Sequence, residues 1–192
     1  MPKPYTPNDK LARKARFEGF RARSVYKLEE LDQRFHLLSQ GQDVLDLGAA
    51  PGSWMQYASD KVGETGVVMG IDLQVIQPIS KNAKSYIADV NDLEAIKNTV
   101  GNRKFDLVLS DLAPNTTGIK EVDAARSVEL DKAVFEVSKI SLKPGCTLVM
   151  KVFQGEELVK FLKQLKLYFR SVAVFKSGAS RDRSREVYII CH

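Results

Sequence analysis

The chain has 192 residues, 44% of them hydrophobic, and a formal net charge of +5. That length suits one domain with a full-sized core, and no apolar run reaches the roughly 18 residues that a membrane span needs. The N-terminus shows no apolar stretch of the kind found in signal peptides, so we expect a cytoplasmic protein with no membrane segment.

The positions of the cysteine and histidine residues indicate neither a disulfide nor a metal site. Cys146 and Cys191 fall in predicted strands without Cys-x-x-Cys spacing, and His36 and His192 lie far apart. We therefore expect neither a disulfide framework nor a metal site, and we interpret both cysteines as reduced thiols in the core.

Positive charge is concentrated at the N-terminus. Residues 1–27 hold eight lysine or arginine residues against two acidic residues, which gives this segment +6 and leaves the rest of the chain at −1. A basic arm on a nearly neutral body is typical of a protein with a polyanionic partner, although a solvated tail would have the same charge pattern. We divide the chain into a basic N-terminal arm over 1–22 and one folded domain over 23–192.

Aromatic residues interleave with the basic residues of this arm. The rings of Phe17, Phe20 and Tyr26 can stack on bases while the neighbouring cations meet phosphates, a pattern that favours nucleic acid over a plain solvated tail. The side chains predicted to contact RNA are Lys3, Lys10, Arg13, Lys14, Arg16, Arg21 and Arg23, with Arg181 and Arg183 as further candidates.

Helix and strand patterns alternate after the arm. Apolar residues at helical spacing predict an amphipathic helix over 25–38 that ends near Gly41. Strands are predicted at 43–47, 66–73, 85–90, 105–109, 147–153, 171–176 and 186–191. Further helices are predicted at 53–61, at 91–100 with Asn91 as the N-cap, at 122–142 with a Lys-Pro-Gly stop, and at 156–168.

This alternation predicts an α/β fold with a doubly wound sheet and helices on both faces. The last two strands have no helix between them, and a parallel return would need a crossover. We therefore expect a single Rossmann-like domain with a mostly parallel seven-stranded sheet that ends in an antiparallel C-terminal hairpin.

A glycine-rich turn after the first strand predicts a cofactor site. Gly48 and Gly52 permit a tight turn, and Asp72 ends the second strand, where a carboxylate can bind both hydroxyls of a ribose. The turn lacks the full G-x-G-x-x-G pattern that seats a pyrophosphate, and Asp46 would attract a cation. S-adenosylmethionine, which is cationic and has no phosphate, fits better than a dinucleotide. Asp89 is a weaker candidate for the adenine side, and a plain strand-to-helix turn is the alternative.

Lys151 interrupts an otherwise apolar strand. Burying an ammonium without a partner costs free energy, so we expect carboxylates beside it. Asp111 and Glu186, each at the terminus of a predicted strand, are the candidates; a strand-end lysine that reaches water is the alternative.

The motifs RSVYKLEEL, DLGAAPGSW, SDLAPN, VMKVFQGE and SREVYII, in this order, cover nearly the whole chain. With them the sequence resembles the FtsJ/RrmJ-type ribose 2′-O-methyltransferases, in particular those that act on a uridine of bacterial 23S ribosomal RNA. The resemblance implies a class I S-adenosylmethionine-dependent methyltransferase domain whose substrate is structured ribosomal RNA of the large subunit. Ser53 stands where the family usually has a second glycine.

The resemblance also implies site residues. The family's catalytic tetrad falls on Lys27, Asp111, Lys151 and Glu186. Its cofactor positions fall on Gly52, Trp54, Asp72, Asp89 and Asp111. Methyl transfer from a sulfonium needs no metal, so what remains is to align a ribose hydroxyl and remove its proton. We expect Lys151 to take that proton, or to orient the hydroxyl while water takes it.

Other activities fit the residues less well. Methylation of cytosine C5 needs a cysteine beside the substrate, and neither cysteine lies on the loop of Asp111. Methylation of an exocyclic amine usually involves an Asn/Asp-Pro-Pro-aromatic turn, which is absent here, and a nicotinamide oxidoreductase would need the missing glycine pattern. A non-catalytic RNA-binding protein would leave Lys151 unexplained. Transfer RNA stays an alternative substrate, while a messenger cap would need an insertion that this chain lacks. We expect a monomer with no obligate protein partner.

Overall fold

The computed structural model describes residues 10–114, 117–180 and 184–192. The helices are α1 (Lys10–Phe17), α2 (Val25–Phe35), α3 (Ser53–Val62), α4 (Leu93–Val100), α5 (Lys120–Ser141) and α6 (Glu156–Tyr168). The strands are β1 (Asp43–Leu47), β2 (Val67–Asp72), β3 (Ala83–Ile87), β4 (Phe105–Ser110), β5 (Leu142–Phe153), β6 (Val172–Phe175) and β7 (Glu186–Cys191).

All these strands form one sheet in the order β3-β2-β1-β4-β5-β7-β6. The first four pairings in this order are parallel, whereas β7 runs antiparallel to both β5 and β6. The predicted α/β fold with an antiparallel C-terminal hairpin is therefore confirmed. Strand order reverses at β1, between β2 and β4, which is where ligands bind in sheets of this kind.

Apolar side chains cover both faces of the sheet, because successive residues of a strand point to opposite faces. Met150 packs on one face with residues of α4, α5 and α6, and its neighbour Val149 packs on the other face with residues of α1, α2 and α3. Parallel strands covered on both faces leave their ends as the places where a ligand can enter.

The helix α2 is shorter than predicted. It ends at Phe35 and not near Gly41, because His36 adopts a left-handed conformation with a φ of 52° and donates its backbone N–H to Asp32 O. The carboxylate of Asp32 also accepts the backbone N–H of Leu38 at 2.9 Å. The apolar spacing that continues to Leu38 therefore belongs to an irregular segment packed on the core.

The N-terminus of α4 is capped by Asp92 and not by Asn91. Asp92 accepts the backbone N–H of Ala95 at 3.0 Å. Asn91 instead donates its backbone N–H and its side-chain amide to Asp89 Oδ1, each at 2.9 Å. Asn91 thus stabilises the turn before α4, and Asp92 caps the helix itself.

The strand β5 is longer than predicted. Leu142 follows α5 directly and pairs with Phe105, and after an irregularity the register resumes with Leu107 opposite Thr147. The Lys-Pro-Gly sequence, predicted as a helix stop, therefore lies in a bulged part of the strand.

The basic arm packs against the domain from residue 10 onward. Ala15 of α1 is buried, and Leu11 and Phe20 contact the same apolar cluster as α2 and α3. Lys14 Nζ lies 4.5 Å from the centroid of the Tyr26 ring. The structure thus gives α1 a fixed position on the domain, and the boundary at residue 22 stays a prediction.

The two thiols differ in depth. Cys191 is buried, and burial raises its pKa to about 12. Cys146 is half-buried and lies less deep than predicted, and both cysteines are free. Within the described part of the chain, no helix has the length and apolar character needed to cross a membrane. The same residues include no group of three or more metal-binding side chains.

Candidate active site

A cleft opens at the carboxyl ends of the parallel strands, beside the reversal of strand order. Its volume is about 450 Å³, which lies within the range of small-molecule sites. The predicted residues that line it are Gly48, Asp72, Asp89 and Asp111. The fold thus brings the loops after β1, β2, β3 and β4 to one place.

Gly48 allows the loops after β1 and β4 to approach each other. Its φ is +76°, a left-handed conformation that glycine adopts readily. A Cβ atom at this position would lie 2.5 Å from Leu112 Cγ. A larger residue would therefore push the β4 loop away from the floor of the cleft.

Asp46 is buried with no hydrogen-bond partner on either carboxylate oxygen. Burial, and then the charges of Asp111 and Asp72, raise its pKa well above the ordinary value. A buried carboxylate without a partner is unfavourable, and a cation bound nearby would offset that cost. This acidic, glycine-lined arrangement fits a cationic cofactor and does not fit a pyrophosphate.

Asp72 and Asp89 are held by neighbouring amides. Asp72 accepts the backbone N–H groups of Ala50 and Gln74, each at 2.9 Å. Asp89 Oδ1 accepts hydrogen bonds from both nitrogens of Asn91. These bonds fix two carboxylates at the cleft wall, where such groups can accept hydrogen bonds from a nucleoside.

Two lysine–carboxylate pairs lie at the same end of the sheet as the cleft. Asp111 lines the cleft, whereas Lys27 and Glu186 line a separate small pocket. Lys27 of α2 donates to Glu186 at the start of β7. Lys151 of β5 donates to Asp111 O at 2.6 Å and lies 3.2 Å from Asp111 Oδ1. The Lys151 ammonium is buried, and the carboxylate expected from its place in an apolar strand is present.

Tyr188 connects the two pairs. Its hydroxyl donates to Asp111 Oδ1 at 2.8 Å, and Lys27 Nζ lies 6.0 Å from its ring centroid. Tyr188 also lies opposite Lys151 in the register of β5 and β7. This residue was not predicted from the sequence; its position two residues after Glu186, on the same face of a strand, was the available signal.

The charges of the four predicted residues act on one another. Desolvation raises the pKa of Glu186, but the hydrogen bond and charge of Lys27, a hydrogen bond from Ser184 Oγ at 2.7 Å and the charge of Lys151 together hold it below its ordinary value. Because Lys151 acts on the carboxylate of the other pair, the two pairs form one electrostatic unit.

A buried carboxyl in α5 was also missed. Burial raises the pKa of Asp131 well above its ordinary value, while the charge of Lys151 and a hydrogen bond from Ser127 Oγ at 3.4 Å oppose that rise. Ser127 Oγ in turn accepts the backbone N–H of Phe153 at 3.0 Å, which ties α5 to β5. Polar residues spaced by four in a helix are normally interpreted as a solvent-exposed face, so the sequence carried no signal for this contact.

Trp54 and Gly52, like Asp46, are not among the described residues that line the cleft. Trp54 is buried, donates its indole N–H to Ser24 O at 2.8 Å, and has its ring centroid 5.9 Å from that of Tyr188. Gly52 has a φ of +104° and faces Arg21, because a Cβ at this position would be 2.9 Å from Arg21 Nη1. A direct contact of either residue with the cofactor stays a prediction.

The basic residues predicted to contact RNA occupy different environments. Those exposed on α1 are Lys10, Arg13, Lys14 and Arg16. Those that donate to backbone carbonyls of the domain are Arg21 and Arg23. Those that lie outside the described residues are Lys3, Arg181 and Arg183.

A sheet of this strand order, with the last strand inserted antiparallel beside the fifth and an acidic cleft at the switch point, defines a class I methyltransferase. The chain belongs to the FtsJ-like methyltransferase family, whose match covers residues 20–192. Its cofactor is S-adenosylmethionine.

Similar proteins cover most of the chain. It is 48% identical to Ribosomal RNA large subunit methyltransferase E of Desulfatibacillum aliphaticivorans, across 92% of this chain and 86% of the relative. The protein of the same name from Bdellovibrio bacteriovorus is 43% identical across 97% and 96% of the two chains. A solved structure from Plasmodium falciparum, described as that of a ribosomal RNA methyltransferase, superposes with a TM-score of 0.77 at 26% identity, covering 90% of this chain and 97% of the other.

Proposed function

We propose that this protein transfers a methyl group from S-adenosylmethionine to the ribose 2′-hydroxyl of a uridine in large-subunit ribosomal RNA, in the cytoplasm. Support for the RNA substrate comes from relatives that share more than 40% of their residues with this chain and are named for ribosomal RNA methylation. Support for the ribose hydroxyl comes from the two lysine–carboxylate pairs.

The single observation that carries the proposal is the pair formed by Lys151 and Asp111 at the cleft wall. An alcohol is a weak nucleophile, so its attack on a methyl group needs alignment and removal of a proton. A buried amine held by a carbonyl and a carboxylate is suited to both tasks. Neither cysteine lies near Lys151. Cys191 is paired with Leu148 in the register of β5 and β7, and Cys146 precedes Thr147 at the opposite end of β5.

Bound S-adenosylmethionine supplies a methyl group that is already activated on a sulfonium. Asp72 and Asp89 would hold its nucleoside part, and Asp46 with Asp111 would provide the negative charge that favours its cationic part. Support for these roles is that Asp72, Asp89 and Asp111 line the cleft, and that the buried Asp46 lies close enough to Asp111 and Asp72 for their charges to act on it.

Lys151 performs the central step of the proposed mechanism. Nζ accepts the hydroxyl proton while the ribose oxygen takes the methyl group from the sulfur, and Asp111 lies where it stabilises the resulting ammonium. Lys27, fixed by Glu186, provides a second positive charge that orients the ribose and its neighbouring phosphate.

Substitution of Lys151 tests the chemistry. We expect Lys151→Ala to lower turnover on the order of 10²–10⁴-fold while the affinity for S-adenosylmethionine, measured by calorimetry, stays within about twofold. Lys151→Arg separates the two roles of the lysine, because arginine orients a hydroxyl but does not take its proton. Wild-type turnover in Lys151→Ala would remove this residue from the mechanism.

Mapping of modified nucleotides tests the substrate. Large-subunit ribosomal RNA from cells with and without this protein should differ by a 2′-O-methyl mark on a uridine, and cells that carry Lys151→Ala should lack the same mark. Loss of a base methylation instead, or an unchanged set of ribose marks beside a change in transfer RNA, would contradict the proposed substrate.

A further inference from the structure

Arg21 lies at the end of the basic arm, but its guanidinium bonds to backbone carbonyls of the domain. Nη1 donates to Pro51 O at 3.0 Å and to Gln77 O at 2.8 Å, and Nη2 donates to Pro78 O at 2.8 Å. Its backbone N–H donates to Gln56 Oε1 at 3.0 Å. One arginine thus links the arm, the turn after β1 and the segment between β2 and β3.

The turn after β1 is held between Arg21 and the cleft. On the cleft side, Asp72 accepts the backbone N–H of Ala50 at 2.9 Å, and both residues line the cleft. On the other side, Gly52 leaves room for the guanidinium, because a Cβ there would lie 2.9 Å from Arg21 Nη1. A movement of Arg21 would therefore be transmitted directly to the backbone that forms the cofactor cleft.

The chain after Arg21 continues this connection toward the lysine–carboxylate pairs. Ser24 Oγ lies 2.9 Å from Ser53 Oγ, and Ser24 O accepts the indole N–H of Trp54. One turn of helix further, Lys27 reaches Glu186. Residues 21–27 thus contact the turn after β1 at one end and supply a proposed catalytic residue, Lys27, at the other.

We propose that Arg21 is a positioning residue of the cofactor site and not an RNA contact. A planar guanidinium can donate in several directions within one plane, which matches three carbonyl acceptors from two loops. Three of its five N–H donors are thereby used within the protein and are not available to a phosphate. The inference concerns binding of S-adenosylmethionine and so does not depend on which RNA the protein modifies.

Two measurements on the full chain separate positioning from RNA contact. The first is calorimetric titration with S-adenosylmethionine in the absence of RNA. The second is the dependence of RNA affinity on salt, measured with a fragment of large-subunit ribosomal RNA. Removal of one lysine or arginine that binds a phosphate makes the slope of log K against log salt shallower by about 0.7–0.9.

We expect Arg21→Ala to weaken S-adenosylmethionine on the order of tenfold and to leave the salt slope unchanged. In turnover assays KM for S-adenosylmethionine should rise while kcat at saturating cofactor is retained, a split that general destabilisation would not produce. Arg21→Lys should fall between wild type and Arg21→Ala, because an ammonium does not span the three carbonyls.

Two other arginines serve as matched controls. Arg16→Ala, on the exposed side of α1, should make the salt slope shallower and leave cofactor affinity unchanged. Arg34→Ala, exposed near the end of α2, should change neither quantity. Thermal melts without ligand identify any variant that fails to fold, and Arg21→Lys then carries the test.

Unchanged cofactor affinity in folded Arg21→Ala or Arg21→Lys would overturn the proposal. A shallower salt slope in Arg21→Ala would also overturn it, since Arg21 would then bind phosphate. If the ribosomal substrate is wrong, the cofactor titration is unaffected, so failure of the proposed function and failure of this inference give different results.

Discussion

Asp46 is the residue at which the requirements of folding and of the proposed cofactor binding conflict. Its side chain is buried without a hydrogen-bond partner, and burial together with two nearby carboxylates raises its pKa. Because the folded pKa is raised above that of the unfolded chain, the folded state binds the proton more tightly. Asp46 therefore reduces stability progressively as pH rises above the unfolded value of about 3.9.

Replacement of Asp46 should uncouple these requirements. We expect Asp46→Asn to raise the free energy of unfolding of the ligand-free protein at pH 7 on the order of 1 kcal/mol, and to weaken S-adenosylmethionine. Urea denaturation between pH 4 and pH 8 should show the difference growing with pH. A variant that loses stability at pH 7 would mean that the carboxylate has a structural partner.

Glu186 shows the opposite dependence on pH. Its pKa is lowered by the hydrogen bond and charge of Lys27 against the effect of desolvation. A lowered folded pKa contributes stability that is present above the unfolded pKa of about 4.3 and is lost as pH falls through the folded value. The pair with Lys27 is thus expected to weaken only in acid.

Glu186→Gln should therefore be most harmful near neutral pH. We expect the difference in free energy of unfolding between wild type and this variant to be largest at about pH 6–7 and to shrink below about pH 4.5. Urea denaturation at several pH values gives this difference, with the exposed Glu64→Gln as the control. A gap that stays constant into acid would show that the charge of Glu186 does not stabilise the fold.

At the scale of elements, α1 is the candidate RNA-binding surface. Charge reversal of Arg13, Lys14 and Arg16 to glutamate should weaken RNA binding and make its salt slope shallower, by about 0.7–0.9 for each of these side chains that binds a phosphate. Cofactor affinity should not change, because these side chains are exposed on the outer side of the helix. Filter binding at several salt concentrations measures the effect, and unaltered RNA binding would remove α1 from the interface.

The elements themselves were largely predictable, and the failures have local causes. The period of apolar residues identified each strand and each helix after the basic arm, since burial against a neighbour sets that period, whereas α1 within the arm was not predicted. Predicted helix boundaries were wrong where a local contact or backbone conformation sets the end of the helix. Asp92 caps α4 in place of Asn91, and His36 ends α2 in a left-handed conformation. These outcomes depend on single contacts that spacing does not encode.

The site was predictable in part for a similar reason. Lys151 was identifiable because an ammonium in an apolar strand requires partners. The resemblance of the ordered motifs to the family identified Lys27, Asp111 and Glu186 as further candidates. The hydrogen bonds of Arg21 to backbone carbonyls and the burial of Asp131 were not predictable. Both depend on which carbonyls or charges the fold brings close, and composition treats each of these residues as an ordinary surface charge.

At the scale of the whole molecule, cofactor binding and stability are linked. S-adenosylmethionine at 100 times its Kd should add about 2.7 kcal/mol to the free energy of unfolding. For a chain of this size that corresponds to an increase in Tm of roughly 5–10 °C. Differential scanning fluorimetry measures this shift; NAD at the same concentration should give none, and an equal shift with NAD would favour an oxidoreductase.

The insertion of β7 between β5 and β6 has a consequence for the synthesis of the protein. A ribosome releases the N-terminal residues first, so Lys27 and Lys151 emerge before the strand that carries Glu186 and Tyr188. Until that strand inserts, β5 presents an open edge and the two lysines lack part of their environment. With the proposed site residues, we therefore expect the nascent chain to be inactive until β7 has been synthesised and has inserted into the sheet.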